Sequence, residues 1–159
     1  MKYAFLYVAS VVAVNYAFDL VPAFPLPGGE FWSPVSLVVG FVFVLRDYAQ
    51  REIGHFVLLA MLLGGLLSWL MAGPAIALAS VCAFLTGELL DWGVYTFTGK
   101  PFSQRVLLSS ALSTPVDSAV FLSMVGMFSL SSVLVMTASK MAGACIVFWL
   151  ARQRELAVA

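Results

Sequence analysis

Between residues 3 and 150 this chain is a series of apolar runs separated only by short breaks. Six of them have the length of bilayer-crossing helices, roughly 3–21, 33–50, 55–72, 74–97, 106–127 and 130–150. A spanning helix needs about 20 mostly apolar residues to match the hydrocarbon layer. With 62% hydrophobic and 10% charged residues, a chain of 159 residues cannot hide its apolar surface in an aqueous core of its own size. Lipid must serve as solvent. The expected fold class is all-α, a polytopic membrane protein with six transmembrane helices forming one domain over 1–159.

The breaks have physical causes. Pro22, Pro25, Pro27, Gly28 and Gly29 end the first run in a short, stiff loop. Ser33-Pro34 places proline in the first turn of the second helix. Gly54-His55, Gly73-Pro74, Gly99-Lys100-Pro101 and the stretch from Ser129 to Ser132 make the remaining breaks. Asn15 and Asp19 interrupt the first run, and no small-residue cleavage site follows a short apolar region, so it reads as a helix that stays and not as a leader.

Basic residues set the orientation. Lys2, Arg46, Arg51, Lys100, Arg105, Arg152 and Arg154 fall at ends that an even helix count puts on one side, whereas the loops near 22–32, 72–74 and 128–131 have none. The positive-inside rule makes the basic side cytoplasmic, with both termini there. The expected location is the cytoplasmic (inner) membrane, multi-pass. Lys140 is then the one basic residue left within a membrane helix.

Carboxylates stand where lipid would penalise them. Glu88 and Asp91 lie in the fourth run and Asp117 in the fifth. Each costs about 2.5–3.5 kcal/mol on insertion scales, and such groups face a bundle interior or a solute path. Glu88 and Asp91 are three apart and share a helix face, with Trp92 and Tyr95 at helical spacing beside them. Ser110, Ser113 and Thr114 form a polar stripe with Asp117, and Pro115 removes a backbone hydrogen bond there. Asn15 and Asp19 are four apart on the first helix. Arg46, Asp47, Tyr48, Gln50 and Arg51 crowd the inner end of the second.

Each signal also has a plainer reading. One carboxylate could pair with Lys140, although one lysine cannot neutralise all three. Arg46 and Arg51 could be anchors whose heads reach the interface, and the hydroxyl stripe could join helices. His55 reads as interfacial, and Trp32, Trp69, Trp149 and Tyr7 as belt or packing residues. Ala9, Ala13 and Ala17 make a small-residue face suited to close packing.

Several functions are excluded or unsupported. Zero net charge gives no footprint for nucleic acid. Cys82 and Cys145 lie in apolar runs and read as core residues. A single histidine removes paired-His metal chemistry, and no nucleophile elbow or P-loop is present. The chain is read as a non-enzyme with no metal and no cofactor. Carboxylates beside aromatic rings suit a flat polar heterocycle. A guanine-like edge offers two adjacent N–H donors to one carboxylate, and Trp or Tyr can stack on its face. Asn15 and nearby hydroxyls could meet the acceptor edge. Protons, metal cations or amines also suit carboxylates.

Three segments carry a family resemblance. Residues Gly40 to Arg51 (GFVFVLRDYAQR), Ala83 to Asp91 (AFLTGELLD) with Val94-Tyr95, and Ser113 to Ser118 (STPVDS) resemble signatures of the VUT family, the queuosine-precursor transporters. They keep family order, and the resemblance covers about residues 10–150. It implies a six-helix inner-membrane importer of a 7-deazaguanine base such as 7-cyano-7-deazaguanine, with Arg46, Asp47, Gln50, Glu88, Asp91 and Asp117 as motif positions. In that reading Glu88, Asp91 and Asp117 hold the polar edge of the base. Arg46 and Asp47 form an inner gate or support the carboxylates, and Trp92 and Tyr95 stack. Protonation of one carboxylate would couple transport to a proton. Beside this stand a substrate-binding subunit of an energy-coupling-factor vitamin transporter, which needs an energising partner, and a structural scaffold. Homo-oligomers are compatible with each.

Overall fold

The computed structural model describes residues 1–26, 29, 31–71 and 74–158. Pro27, Gly28 and Gly73, assigned above to breaks, lie outside the described residues, as do the side chains of Asp19 and Arg154. Six α-helices occur among the described residues: α1 (Lys2–Leu20), α2 (Val35–Ile53), α3 (Val57–Met71), α4 (Pro74–Phe97), α5 (Phe102–Met124) and α6 (Leu130–Val158). A 3-10 turn, Gly54–Phe56, joins α2 to α3. The α1–α2 connection contains a two-residue antiparallel ladder, β1 (Phe24–Pro25) with β2 (Phe31–Trp32). The fold is all-α apart from this ladder, whose Trp32 indole donates to Ser139 Oγ on α6 at 2.7 Å.

Helix ends differ from the hydropathy boundaries for local reasons. α5 begins four residues earlier than its apolar run, directly after Pro101, because Gln104 and Arg105 are polar but good helix formers. α6 continues past residue 150 for the same reason: Arg152 and Gln153 end the apolar run without ending the helix. Its start is set by Ser129, whose Oγ accepts the Ser132 N–H at 3.0 Å. Pro115 lies inside α5, which runs through it as one helix.

The helices close a ring. α1 packs on α2, α2 on α6, α6 on α5, α5 on α4, α4 on α3, and α3 back on α1, while α2 also reaches α4 and α5 across the middle. One apolar cluster joins α1, α2 and α3 through Tyr7, Val11, Val42, Ala49, Val57 and Met61. Another joins α2, α5 and α6 through Val44, Val106 and Ala144. Leu59, Leu62, Leu63, Leu66 and Leu70 leave an exposed apolar face on α3, which lipid would cover. Lipid is as apolar as leucine, so contacts between such helices depend on close packing and polar bonds more than on apolar burial.

Glycine supplies the close packing at two crossings. A Cβ at Gly40 on α2 would collide with the backbone carbonyl of Lys140 on α6. At Gly87 on α4 it would lie 2.7 Å from the Asp117 Cβ on α5. These approaches set the depth at which Lys140 and Asp117 enter the ring. Gly40→Ala is expected to force α2 and α6 apart and cost about 1–3 kcal/mol. Gly93→Ala, with nothing within 4 Å of the added carbon, should gain about 0.5–1 kcal/mol from helix propensity. Thermal unfolding in detergent compares the two, and equal midpoints would refute the crossing.

Three helical stretches of the described residues are long and apolar enough to cross a membrane: Val35–Met71, Phe102–Met124 and Leu130–Gln153. The first contains both α2 and α3 with the 3-10 turn between them. The apolar part of α1, Lys2–Phe18, is shorter. α3 by itself has 15 residues, a rise of roughly 22 Å.

Candidate functional site

The interior of the ring is charged. Arg46 projects from α2 and is fully buried. Its Nη2 pairs with Asp47 Oδ1 at 2.9 Å and with Asp91 Oδ2, and its Nε lies 3.3 Å from Glu88 Oε2. Its Nη1 donates to Gln50 Oε1 at 2.5 Å, and Gln50 Nε2 donates in turn to Thr96 Oγ1 on α4 at 2.7 Å. Helical spacing explains the convergence. Arg46 and Gln50 are four apart on α2, Glu88 and Asp91 three apart on α4, and each pair shares a face. From α5, Ser109 Oγ donates to Asp47 Oδ2 at 3.4 Å.

This corrects two readings of the sequence. Arg46 is not an interfacial anchor, because α2 continues to Ile53 and leaves it nearly two turns inside the helix end. Lys140 is therefore not alone at depth. It pairs with Asp117 and donates to Ser118 Oγ at 3.1 Å, while Arg46 serves Glu88 and Asp91.

The charge account does not balance. One guanidinium faces Asp47, Glu88 and Asp91. Glu88 and Asp91 share the Arg46 guanidinium, and among the described residues only Glu88 has a further donor beside it, the Tyr7 hydroxyl from α1. The buried hydroxyls of Ser110 and Ser113 on α5 have no hydrogen-bond partner among the described residues. A buried polar group without a partner costs about 1–3 kcal/mol, and more if charged. Such groups gather here between α2, α4 and α5.

The remaining candidates divide. Tyr95 is buried with its ring 5.8 Å from the Arg46 guanidinium. Trp92 packs its ring edge-on to His55 at 5.8 Å and Phe97 at 6.2 Å. Asn15 serves another contact, donating to Val11 O and to Ser68 Oγ on α3, both at 2.8 Å. Asp117 sits on Lys140, where Gly87 brings α5 against α4 one residue from Glu88.

A family model described as "Putative vitamin uptake transporter" matches residues 31–152, more than half of the chain. The chain belongs to this family. It is thus a membrane protein of a transporter family, and its membership points to small-molecule transport and away from catalysis. No curated protein and no solved structure matches it significantly. The matched region holds every charged member of the cluster, Arg46, Asp47, Glu88, Asp91, Asp117 and Lys140. Tyr7 lies outside it.

Sequence reasoning passed over Tyr7, Ser68 and Ser109 as site or contact residues. A tyrosine on α1 facing a glutamate on α4 leaves no local signal. Ser109 could have been found by extending the stripe of Ser110, Ser113 and Thr114 back by one residue.

Proposed function

We propose that the protein carries a 7-deazaguanine base, such as 7-cyano-7-deazaguanine, inward across the cytoplasmic membrane, as a bundle of six spans with both termini inside. The observation that supports the reading is the group of three buried carboxylates sharing one guanidinium, beside unpartnered hydroxyls. Three carboxylates have more acceptor sites than one guanidinium can fill, so they remain open to further donors. A guanine-like edge brings two parallel N–H groups, the geometry by which a carboxylate binds a guanidinium fork. Glu88 or Asp91 would trade Arg46 for that edge as the base enters. The freed guanidinium would turn to the base's carbonyl or stay with Asp47 and Gln50. Tyr95, already under Arg46, is the stacking surface, and Tyr7, Ser110 and Ser113 meet the remaining polar atoms. Asp117 and Lys140 form the neighbouring station. Arg46, Asp47, Glu88 and Asp91 are at most 1% exposed, so this conformation is occluded and the solute reaches the site only as helices move.

Uptake of labelled 7-cyano-7-deazaguanine into cells that cannot make it tests the reading. Glu88→Gln and Asp91→Asn, at parental membrane levels, are expected to lower uptake at least about tenfold, since each amide replaces an acceptor oxygen by a donor. A well-expressed parent without uptake would overturn the solute. One observation favours a second reading: Ala9 and Ala13 lie exposed on α1, a small-residue face on which an energising subunit could dock. Uptake by the purified protein alone in liposomes would exclude that dependence. Collapse of the proton gradient tests coupling, with undiminished uptake pointing to facilitated diffusion.

A further inference from the structure

One end of the ring, which carries Lys2, Arg51, Lys100 and Arg105, is closed by aromatic rings from four helices. Tyr3 of α1 stacks on Tyr48 of α2, with centroids 5.1 Å apart and planes at 25°. Tyr48 meets Phe102 of α5 at 4.7 Å, and Phe102 meets Tyr95 of α4 at 6.2 Å. Guanidinium groups flank this chain of rings. Arg51 lies 5.1 Å from Phe102, Arg105 5.3 Å from Tyr95, and the buried Arg46 5.8 Å from the same Tyr95 ring. Tyr95 therefore separates the charge cluster from the basic end.

α1 is the least tied of these four helices. α2, α4 and α5 are joined through the Arg46 ion pairs, Gln50 to Thr96 and Ser109 to Asp47. Apart from the Tyr7 hydroxyl beside Glu88, the polar ties of α1 among the described residues lie towards its ends. Asn15 bonds Ser68 on α3. At the basic end, the Glu52 carboxylate from α2 accepts the backbone N–H groups of Lys2 at 2.9 Å, Tyr3 at 2.9 Å and Ala4 at 3.2 Å. The first N–H groups of a helix have no partner within it and carry its positive pole, so a carboxylate suits them. α1 has no side-chain cap of its own, and Glu52 provides one from a different helix. Its side chain is 20% exposed, so water can compete for it. Tyr3 and Tyr7 are one turn apart on one face of α1, which puts Tyr3 in the ring chain and Tyr7 beside Glu88.

We propose that the chain Tyr3–Tyr48–Phe102–Tyr95 is the gate at the basic end, that α1 is the element that moves, and that Glu52 is its latch. It rests on the reading of the charge cluster as the solute site. When Glu52 lets go, α1 swings about its Asn15–Ser68 tie. Tyr3 leaves Tyr48, and Tyr7 withdraws from Glu88. One movement opens the end and uncovers the carboxylates.

Thiol accessibility tests this without a solute, so it fails or holds apart from any result on uptake. The reporter is Ser109→Cys, placed at Asp47, in a Cys82→Ser and Cys145→Ser background. It is labelled with a membrane-impermeant thiol reagent in vesicles of both orientations, and Lys100→Cys identifies the vesicles that present the basic end. Tyr3→Ala is expected to raise labelling from that side about fivefold, and Glu52→Ala about tenfold. Tyr3→Phe, which keeps the ring, should label at the parent rate. No rise from the basic side, or an equal rise from both sides, would overturn the gate.

Discussion

Arg46→Ala is expected to abolish uptake and to lower the stability of the bundle by about 3–5 kcal/mol, the cost of leaving buried charges without their counter-ion. The size follows from what the guanidinium holds. It pairs with Asp47, Glu88 and Asp91 and donates to Gln50. Its loss leaves three carboxylates in a space that water does not reach. Those carboxylates come from α2 and α4, so repulsion would act across the middle of the ring. Arg46→Lys separates charge from shape. An ammonium keeps the positive charge but lacks the planar fork that reaches several partners at fixed angles. It should fold better than the alanine variant while uptake stays at least about tenfold below the parent. Neutralising the partners gives the reverse check. Arg46→Ala combined with Glu88→Gln and Asp91→Asn should recover much of the lost stability, because no uncompensated pair of α4 charges remains, and should recover no uptake. Yield of monodisperse protein and thermal unfolding in detergent read the first quantity, and labelled-base uptake the second. An Arg46→Ala protein with the parental midpoint would refute its role as counter-ion of the cluster.

The helices were legible because most of the apolar runs end at a residue with a backbone reason to end them. Pro101 and Ser129 start α5 and α6 where they stand. Hydropathy misjudged the polar turns at Gln104 and Arg152, which remain helical because nothing there opposes it. The site was legible in part. Glu88 and Asp91 declare themselves by their cost in lipid, and their spacing puts them on one face. Their partner did not. Arg46 stands among polar neighbours near a helix end, where an interfacial anchor would also stand. Only the crossing of α2 with α4 turns it inward. Likewise, Lys140 had three carboxylates to choose from. The choice of Asp117 follows from the contact of Gly40 with the Lys140 backbone and of Gly87 with Asp117. Glycines in a membrane helix have little to say until the neighbour they admit is known. Tyr7 and Glu52 act entirely between helices, and their roles follow from the ring order alone.

The second large effect concerns that pair. Lys140→Met is expected to destabilise the bundle by about 3–5 kcal/mol, since Asp117 would stay buried with no cation beside it. Asp117→Asn should cost less. The lysine keeps Ser118 as a partner, and its flexible stem can carry the ammonium towards the surplus of carboxylates around Arg46. The double variant Asp117→Asn with Lys140→Met should approach the parent in stability, because removing both members of a buried pair removes the desolvation cost together with the attraction. Uptake tells what else the pair does. If it only joins α5 to α6, the double variant transports as the parent does once folding is restored. If it is a station on the solute path next to Glu88, folding returns and uptake does not. The second outcome is expected. Ser110 and Ser113 stand two turns and one turn before Asp117 on α5, buried with unpartnered hydroxyls, and a pair that served packing alone would not need polar groups left open beside it. Full uptake by a stable double variant would reduce the pair to a structural tie and confine the solute to the Arg46 cluster.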